Sequence, residues 1–130
     1  MIFSENWFPL FRVMIEITKA ELIAQLHALG VQAGGVLLVH TSFRAVRPVE
    51  GGVLGLIAAL RGALGPAGTL VVPSATGNDD EPFDAAATPA DASLGAVADV
   101  FWRLPGVLRS DHFAAFAAIG PDAAAITADP

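Results

Sequence analysis

Apolar positions recur three and four residues apart at Leu22, Ile23, Leu26 and Leu29, a spacing that lines one side of a helix. Thr18 followed by Glu21 makes a capping box ahead of them and Gly30 supplies a C-terminal stop, so the pattern predicts a helix over 19–29. Val36 to Val39 follow Gly34-Gly35 as a continuous apolar run, too short for a helix and β-branched enough for a buried strand. Val53, Leu56, Ile57, Leu60 and Leu64 then share a helical face over 52–64, which Gly65-Pro66 ends. Thr69 to Val72 reads as a second buried strand closed by Pro73. Strand, helix and strand at this spacing form a βαβ unit, whose default is a parallel pair with a right-handed crossover.

From Ser74 to Asp91 neither period survives, and a loop of that length in a compact domain is usually functional or disordered. Ser93 is placed to cap a helix through about Arg103, with Leu94, Val97, Val100 and Phe101 inward and Pro105-Gly106 as its end. Segments 107–109 and 113–119 read as short strands flanking Ser110-Asp111-His112, and Pro121 opens a last helix that runs to the chain end. The alternation predicts an α/β fold, three-layer α/β/α with a mostly parallel or mixed sheet, and no repeat or linker marks a second domain. Met1 to Val13 is apolar but carries Glu5 and Pro9, with no basic n-region and no small-residue cleavage site, so it fits a signal peptide badly. Met14 is a more natural start, which points to a mis-assigned initiation site or a disordered arm, and residues 1–16 are expected to be a poorly ordered extension; a short segment docking on the body is the alternative.

With 130 residues the chain is long enough for one core. Its 54% apolar and 15% charged residues depart from the usual balance, in which about a quarter are charged. That surplus asks for a partner, unless it reflects only an alanine-rich protein. Arg61 and Asp99 interrupt the best apolar stretches before ~18 residues are reached, so no membrane span is expected. A net charge of −6 argues against a nucleic-acid binder and suits a cationic ligand, or simply solubility. Without cysteine there is no disulfide, no thiolate nucleophile and no cysteine-based zinc site. His27, His40 and His112 lack metal-ligand spacing, and no metal is expected; His27 reads as a partly exposed helix residue.

The chemistry concentrates between Val36 and Leu56, where the strand breaks at His40-Thr41-Ser42 and the chain re-enters a helix through Glu50-Gly51-Gly52. Such a junction offers free backbone N–H groups to an anion. The glycines fit neither a dinucleotide fingerprint nor a P-loop, and a plain tight turn is the alternative. Gly55 reads as a point of close helix-on-strand packing. Arg109, Ser110 and His112 fall at another predicted strand end, where open α/β sheets bind ligands. Ser42 lacks the G-x-S-x-G context of a nucleophile elbow, which argues against Ser-His-Asp catalysis. Asp79, Asp80, Glu81 and Asp84 are placed to attract a polycation, or form a solvated acidic loop. These residues describe a cofactor half-site.

From Ile17 to Pro130 the chain resembles the N-terminal half of the aminoglycoside 3-N-acetyltransferases, the antibiotic N-acetyltransferase family. The resemblance rests on ordered blocks: TKAEL…LGV from Thr18, LLVHTSF from Leu37, VEGG from Val49, LG…GTLVVPS from Leu64, FD…TP from Phe83, LG…VF from Leu94, PGVLRSDH from Pro105 and AAIGPDA from Ala117. It implies acetyl transfer from acetyl-CoA to the 3-amino group of a 2-deoxystreptamine aminoglycoside, by a cytoplasmic enzyme without a metal. The attacking amine must first lose a proton, so a nearby base is required. The resemblance implies that His40, Thr41, Ser42, Gly51 and Gly52 hold the CoA pyrophosphate and pantetheine arm, with Arg109, Ser110 and His112 near the CoA or the acceptor. Asp79, Asp80, Glu81 and Asp84 would then receive the cationic acceptor.

Two departures qualify that picture. The family continues its R-S-x-H turn as H-P and a serine, whereas His112 here precedes Phe113-Ala114-Ala115-Phe116, leaving His112 a weak catalytic candidate. Family members are about twice as long, and their second half carries the catalytic histidine and its acidic partner. The chain is therefore expected to be incomplete relative to the family, with its main base beyond Pro130, and weakly active or inactive alone. Alternatives are a non-catalytic CoA-binding or interaction module, a half-enzyme completed by another chain or by homodimerisation, and an unrelated nucleotide-binding α/β protein.

Overall fold

The computed structural model describes residues 16–43, 48–77 and 80–128. Most of the predicted N-terminal extension therefore lies outside the described residues. Helix α1 spans Lys19–Ala28, and the Thr18 hydroxyl accepts the Glu21 N–H at 3.1 Å, the cap that the sequence announces. Strand β1 is Val36–Leu38, α2 is Gly52–Leu64 and β2 is Thr69–Pro73. A 3-10 turn at Ala92–Leu94 precedes α3, Ala96–Phe101; then come β3, Leu108–Arg109, β4, Phe116–Ile119, and α4, Ala123–Thr127. Among the described residues no helix is long and apolar enough to cross a membrane.

The four strands form one mixed sheet in the order β1-β2-β4-β3. β1 and β2 are parallel, with Val36 opposite Thr69, as the βαβ spacing requires. β4 runs antiparallel to both neighbours, with Val72 opposite Ala117 and Arg109 opposite Ala117 on its other edge.

Strand side chains alternate between faces, so this register sorts the sheet into two sides. On one side Leu70, Val72 and Ala117 pack with Leu22 of α1, Leu56, Ile57, Leu60 and Leu64 of α2, and Val97 and Phe101 of α3. Phe101 is fully buried there. On the other side Val71 and Ala118 pack, among the described residues, with Ala123 and the half-buried Ile126 of α4. By register, Val36, Leu38, Leu108 and Phe116 belong to this second side, yet they remain 56%, 56%, 43% and 41% exposed. The expected three layers are present, and among the described residues the second helical layer is one short helix.

Several expectations are corrected. The run Val36 to Val39 is not buried throughout: β1 is an edge strand with Leu37 turned to the core and its neighbours to the open side. The helix expected from Ser93 to about Arg103 is broken, because Asp91 rather than Ser93 caps a 3-10 turn and Gly95 separates it from α3. Gly95 has φ 94 and ψ 180, a conformation reserved for glycine, and no helix passes through it. The strand expected over 113–119 begins only at Phe116, after a turn at Phe113 and Ala114. The last helix starts at Ala123 rather than Pro121 and ends at Thr127. Gly55 does not serve helix-on-strand packing. A Cβ there would collide with the Glu50 carbonyl, so the glycine serves the turn into α2.

Candidate functional site

Because β1, β2 and β3 run the same way and β4 against them, the residues that follow β1, β2 and β3 gather on one rim of the sheet. His40, Ser74 and Ser110 all lie there. The Val39 N–H donates to the Val71 carbonyl at 2.8 Å, the last rung before the chain leaves the sheet at His40. His40 to Phe43 then face Ser93, Leu94, Gly95 and Ala96 across a cavity of about 460 Å3. His40 and Ser42 are exposed and Thr41 is half-buried. No hydrogen bond among the described residues engages these three side chains, so an imidazole and two hydroxyls are available at the cavity wall.

Gly51 and Gly52 do not line this cavity. They occupy the start of α2 with φ values of 80 and 64, which a side chain would strain, and no side chain caps the helix. The Glu50 carboxylate accepts the Lys19 N–H at 3.5 Å, so this turn leans on the start of α1. The predicted anion junction is thus two separate features, with residues 44–47, between them, outside the described residues.

The second predicted strand end is built differently. Arg109 is half-buried, and its guanidinium lies 4.4 Å from the centre of the Trp102 ring and 4.8 Å from that of Phe83. One terminal nitrogen donates to the Ser74 carbonyl at 2.7 Å; the other donates to the carbonyls of Thr88 and, at 3.4 Å, Ala85. Burial lowers the Arg109 pKa, and the nearby charge of Arg103 lowers it further, but a guanidinium starts too high to lose its proton. The Ser110 hydroxyl is buried, accepting the Phe116 N–H at 2.9 Å and donating to the Phe116 carbonyl at 3.3 Å, which ties β3 to β4. The His112 Nδ1 accepts the Ala114 N–H at 3.1 Å, and its ring stacks on Phe113. That bond places the proton of the neutral imidazole on Nε2, leaving no free nitrogen lone pair for a base.

In the acidic loop, Asp80 and Glu81 are exposed, and Asp79 lies outside the described residues. Asp84 is also exposed, but its carboxylate accepts the Ala86 N–H at 2.9 Å and its carbonyl accepts the N–H groups of Ala87 and Thr88. A self-capped turn thus interrupts what the sequence presents as an aperiodic loop. Further along, the Ser93 N–H and, secondarily, its hydroxyl hold the Asp91 carboxyl below its ordinary value. Among the described residues no group of three histidine or acidic side chains is placed to hold a metal ion.

Sequence reasoning missed the Ser93–Ala96 wall of the cavity and the Trp102 and Phe83 rings around Arg109. The first had a signal, an Asx-type cap at Asp91 followed by Gly95, that competes with a Ser93 cap. The second had none, because Phe83 comes within reach of Arg109 only after the loop has folded back.

A sequence model of the family described as aminoglycoside 3-N-acetyltransferase matches residues 38–130. Over 115 residues the chain is 65% identical to an aminoglycoside N(3)-acetyltransferase IV of a Salmonella species, covering 88% of this chain and 44% of that protein. A mutant of aminoglycoside acetyltransferase AAC(3)-IVa crystallised with a gentamicin is similar in structure, with a TM-score of 0.85, 65% identity and coverage of 87% of this chain and 44% of that one. An AAC-IIIb structure binary with CoASH superposes with a TM-score of 0.82 at 30% identity, covering 88% of this chain and 50% of the other. The chain spans about half the length of the relatives it matches.

Proposed function

Because the chain belongs to the aminoglycoside 3-N-acetyltransferase family, we propose that it contributes the donor and acceptor rim of an enzyme moving acetyl from acetyl-CoA to the 3-amino group of a 2-deoxystreptamine aminoglycoside. One observation carries the reading: a cavity walled by uncommitted His40, Thr41 and Ser42 shares a rim with the loop that bears Asp80 and Glu81. In the proposed reaction the neutral amine nitrogen attacks the thioester carbonyl, a C–N bond forms, the C–S bond breaks and CoA leaves as the thiol. His40, Thr41 and Ser42 donate hydrogen bonds to the coenzyme, and the helix start at Gly51-Gly52, uncapped by any side chain, is turned to its phosphates, although the Gly52 N–H itself donates to the Val49 carbonyl at 2.9 Å. Asp80, Glu81 and the outer face of Asp84 attract the cationic acceptor, with Asp79 adjoining them in sequence. Arg109 and Ser110 are left out of the coenzyme site, since the two terminal nitrogens of Arg109 and the Ser110 hydroxyl already serve carbonyls within the chain and the Arg109 Nε is buried. Use of acetyl-CoA fits a cytoplasmic setting.

The reaction still needs a group to take the amine proton, and the Nδ1 bond of His112 unsuits it for that task. The open face of the sheet, with Val36, Leu38, Leu108 and Phe116 exposed, supports completion by further polypeptide, whether the remainder of the family's length or a second copy. We therefore expect this chain by itself to bind CoA and to acetylate slowly or not at all. Calorimetric titration with CoA, together with thiol release and mass gain of gentamicin in the presence of acetyl-CoA, tests both statements. Absence of CoA binding would overturn the donor-rim assignment, and rapid acetylation would overturn the need for completion.

A further inference from the structure

We propose that Arg109 is a positioning residue for the acceptor loop, acting through the loop backbone rather than on either substrate. The inference rests on the assignment of the cationic acceptor to Asp80 and Glu81, and goes beyond it by naming what holds those carboxylates in place.

The clasp reaches the loop from a strand. Arg109 is anchored in β3 by its pairing with Ala117 of β4, so its backbone belongs to the rigid sheet. Its guanidinium contacts Ser74 at the start of the loop and Ala85 and Thr88 near its end, so that Asp80 and Glu81 lie between two fixed points. The rings that flank the cation come from both sides of the junction: Trp102 follows α3, and Phe83 belongs to the loop itself. A planar cation with donors in its plane and aromatic rings beside it holds the loop in a way that a lysine ammonium cannot reproduce. Two further bonds fasten the same segment, Thr76 N–H to the Phe113 carbonyl at 2.9 Å and Asp91 N–H to the Ala75 carbonyl at 2.7 Å. These fix the loop ends, and Arg109 adds contacts farther along the loop at Phe83, Ala85 and Thr88.

A loop already ordered before the ligand arrives does not lose that freedom on binding, so releasing the clasp weakens acceptor binding without any loss of direct contact. Arg109→Lys should raise the Kd for gentamicin about tenfold while changing the Kd for CoA by less than about twofold. Hydrogen exchange should accelerate at the amides of Ala86, Ala87 and Thr88 and stay unchanged in α2. Phe83→Leu removes one ring and spares the arginine; it should move gentamicin binding in the same direction by a smaller factor, which guards against a misfolded Arg109 variant. Equal weakening of CoA and gentamicin would make Arg109 a coenzyme ligand and overturn the proposal. Faster exchange with unchanged gentamicin affinity would overturn it too, leaving only a structural staple. If the parent chain binds CoA but no gentamicin, the acceptor assignment itself fails, which is a distinct result from either of these.

Discussion

Two parts of one rim use similar residues in opposite ways. Around Arg109 and Ser110 the terminal guanidinium nitrogens and the hydroxyl turn inward and are committed to carbonyls of the chain, whereas the side chains of His40, Thr41 and Ser42 make no such commitment and face a cavity. Both lie beyond strand ends, where α/β proteins bind ligands. Position on the sheet therefore nominates a residue, and its hydrogen-bond inventory decides whether it has anything left to offer.

The contrast is most sharply tested by truncation. Arg109→Ala should cost roughly 2–3 kcal/mol of unfolding free energy, because charge-assisted hydrogen bonds to carbonyls are lost along with aromatic contacts. Urea denaturation measures this, and a loss within experimental error would show the clasp to be ornamental. Ser110→Ala should cost about 1 kcal/mol in the same assay, since it leaves the part-buried Phe116 N–H without its partner. On the open side, His40→Ala and Ser42→Ala should each change stability by less than about 0.5 kcal/mol while weakening CoA binding severalfold. A large stability loss at His40 would erase the distinction between the two parts. The smallest effect concerns Asp91, whose lowered folded-state pKa gives a contribution that is complete above its ordinary value of 3.8 and fades as pH falls through the lowered one. Asp91→Asn keeps an acceptor for the Ser93 N–H but does not titrate. Its stability should therefore lack that acid-side decline when the two proteins are compared across acidic pH.

Much of the fold was legible because its signals are local. The Thr18 cap, the apolar face of α2 and the parallel β1–β2 pair all depend on residues close in sequence or on a familiar connection. The errors arise where a distant residue decides. Val36 and Leu38 have the composition of a buried strand, but burial requires a layer that α4 is too short to supply. Gly95 is compatible with a helical pattern until its neighbours fix it in a conformation that only glycine adopts. In the candidate site, the His40-Thr41-Ser42 break was readable from the end of an apolar run. The direction of the Arg109 guanidinium was not, because its partners lie at Ser74 and Thr88, 35 and 21 residues away.

The Arg109 clasp also sets how the rim should respond to ionic strength. Its guanidinium is balanced by carbonyl dipoles at hydrogen-bonding distance in a half-buried site, where mobile ions screen little. Asp80 and Glu81 are exposed, and at the surface screening is strong. Added sodium chloride should thus strip away attraction for a polycation while the loop that presents it keeps its shape. Electrostatic recruitment and mechanical support, joined in one segment of eighteen residues from Ser74 to Asp91, become separable by a change of buffer alone.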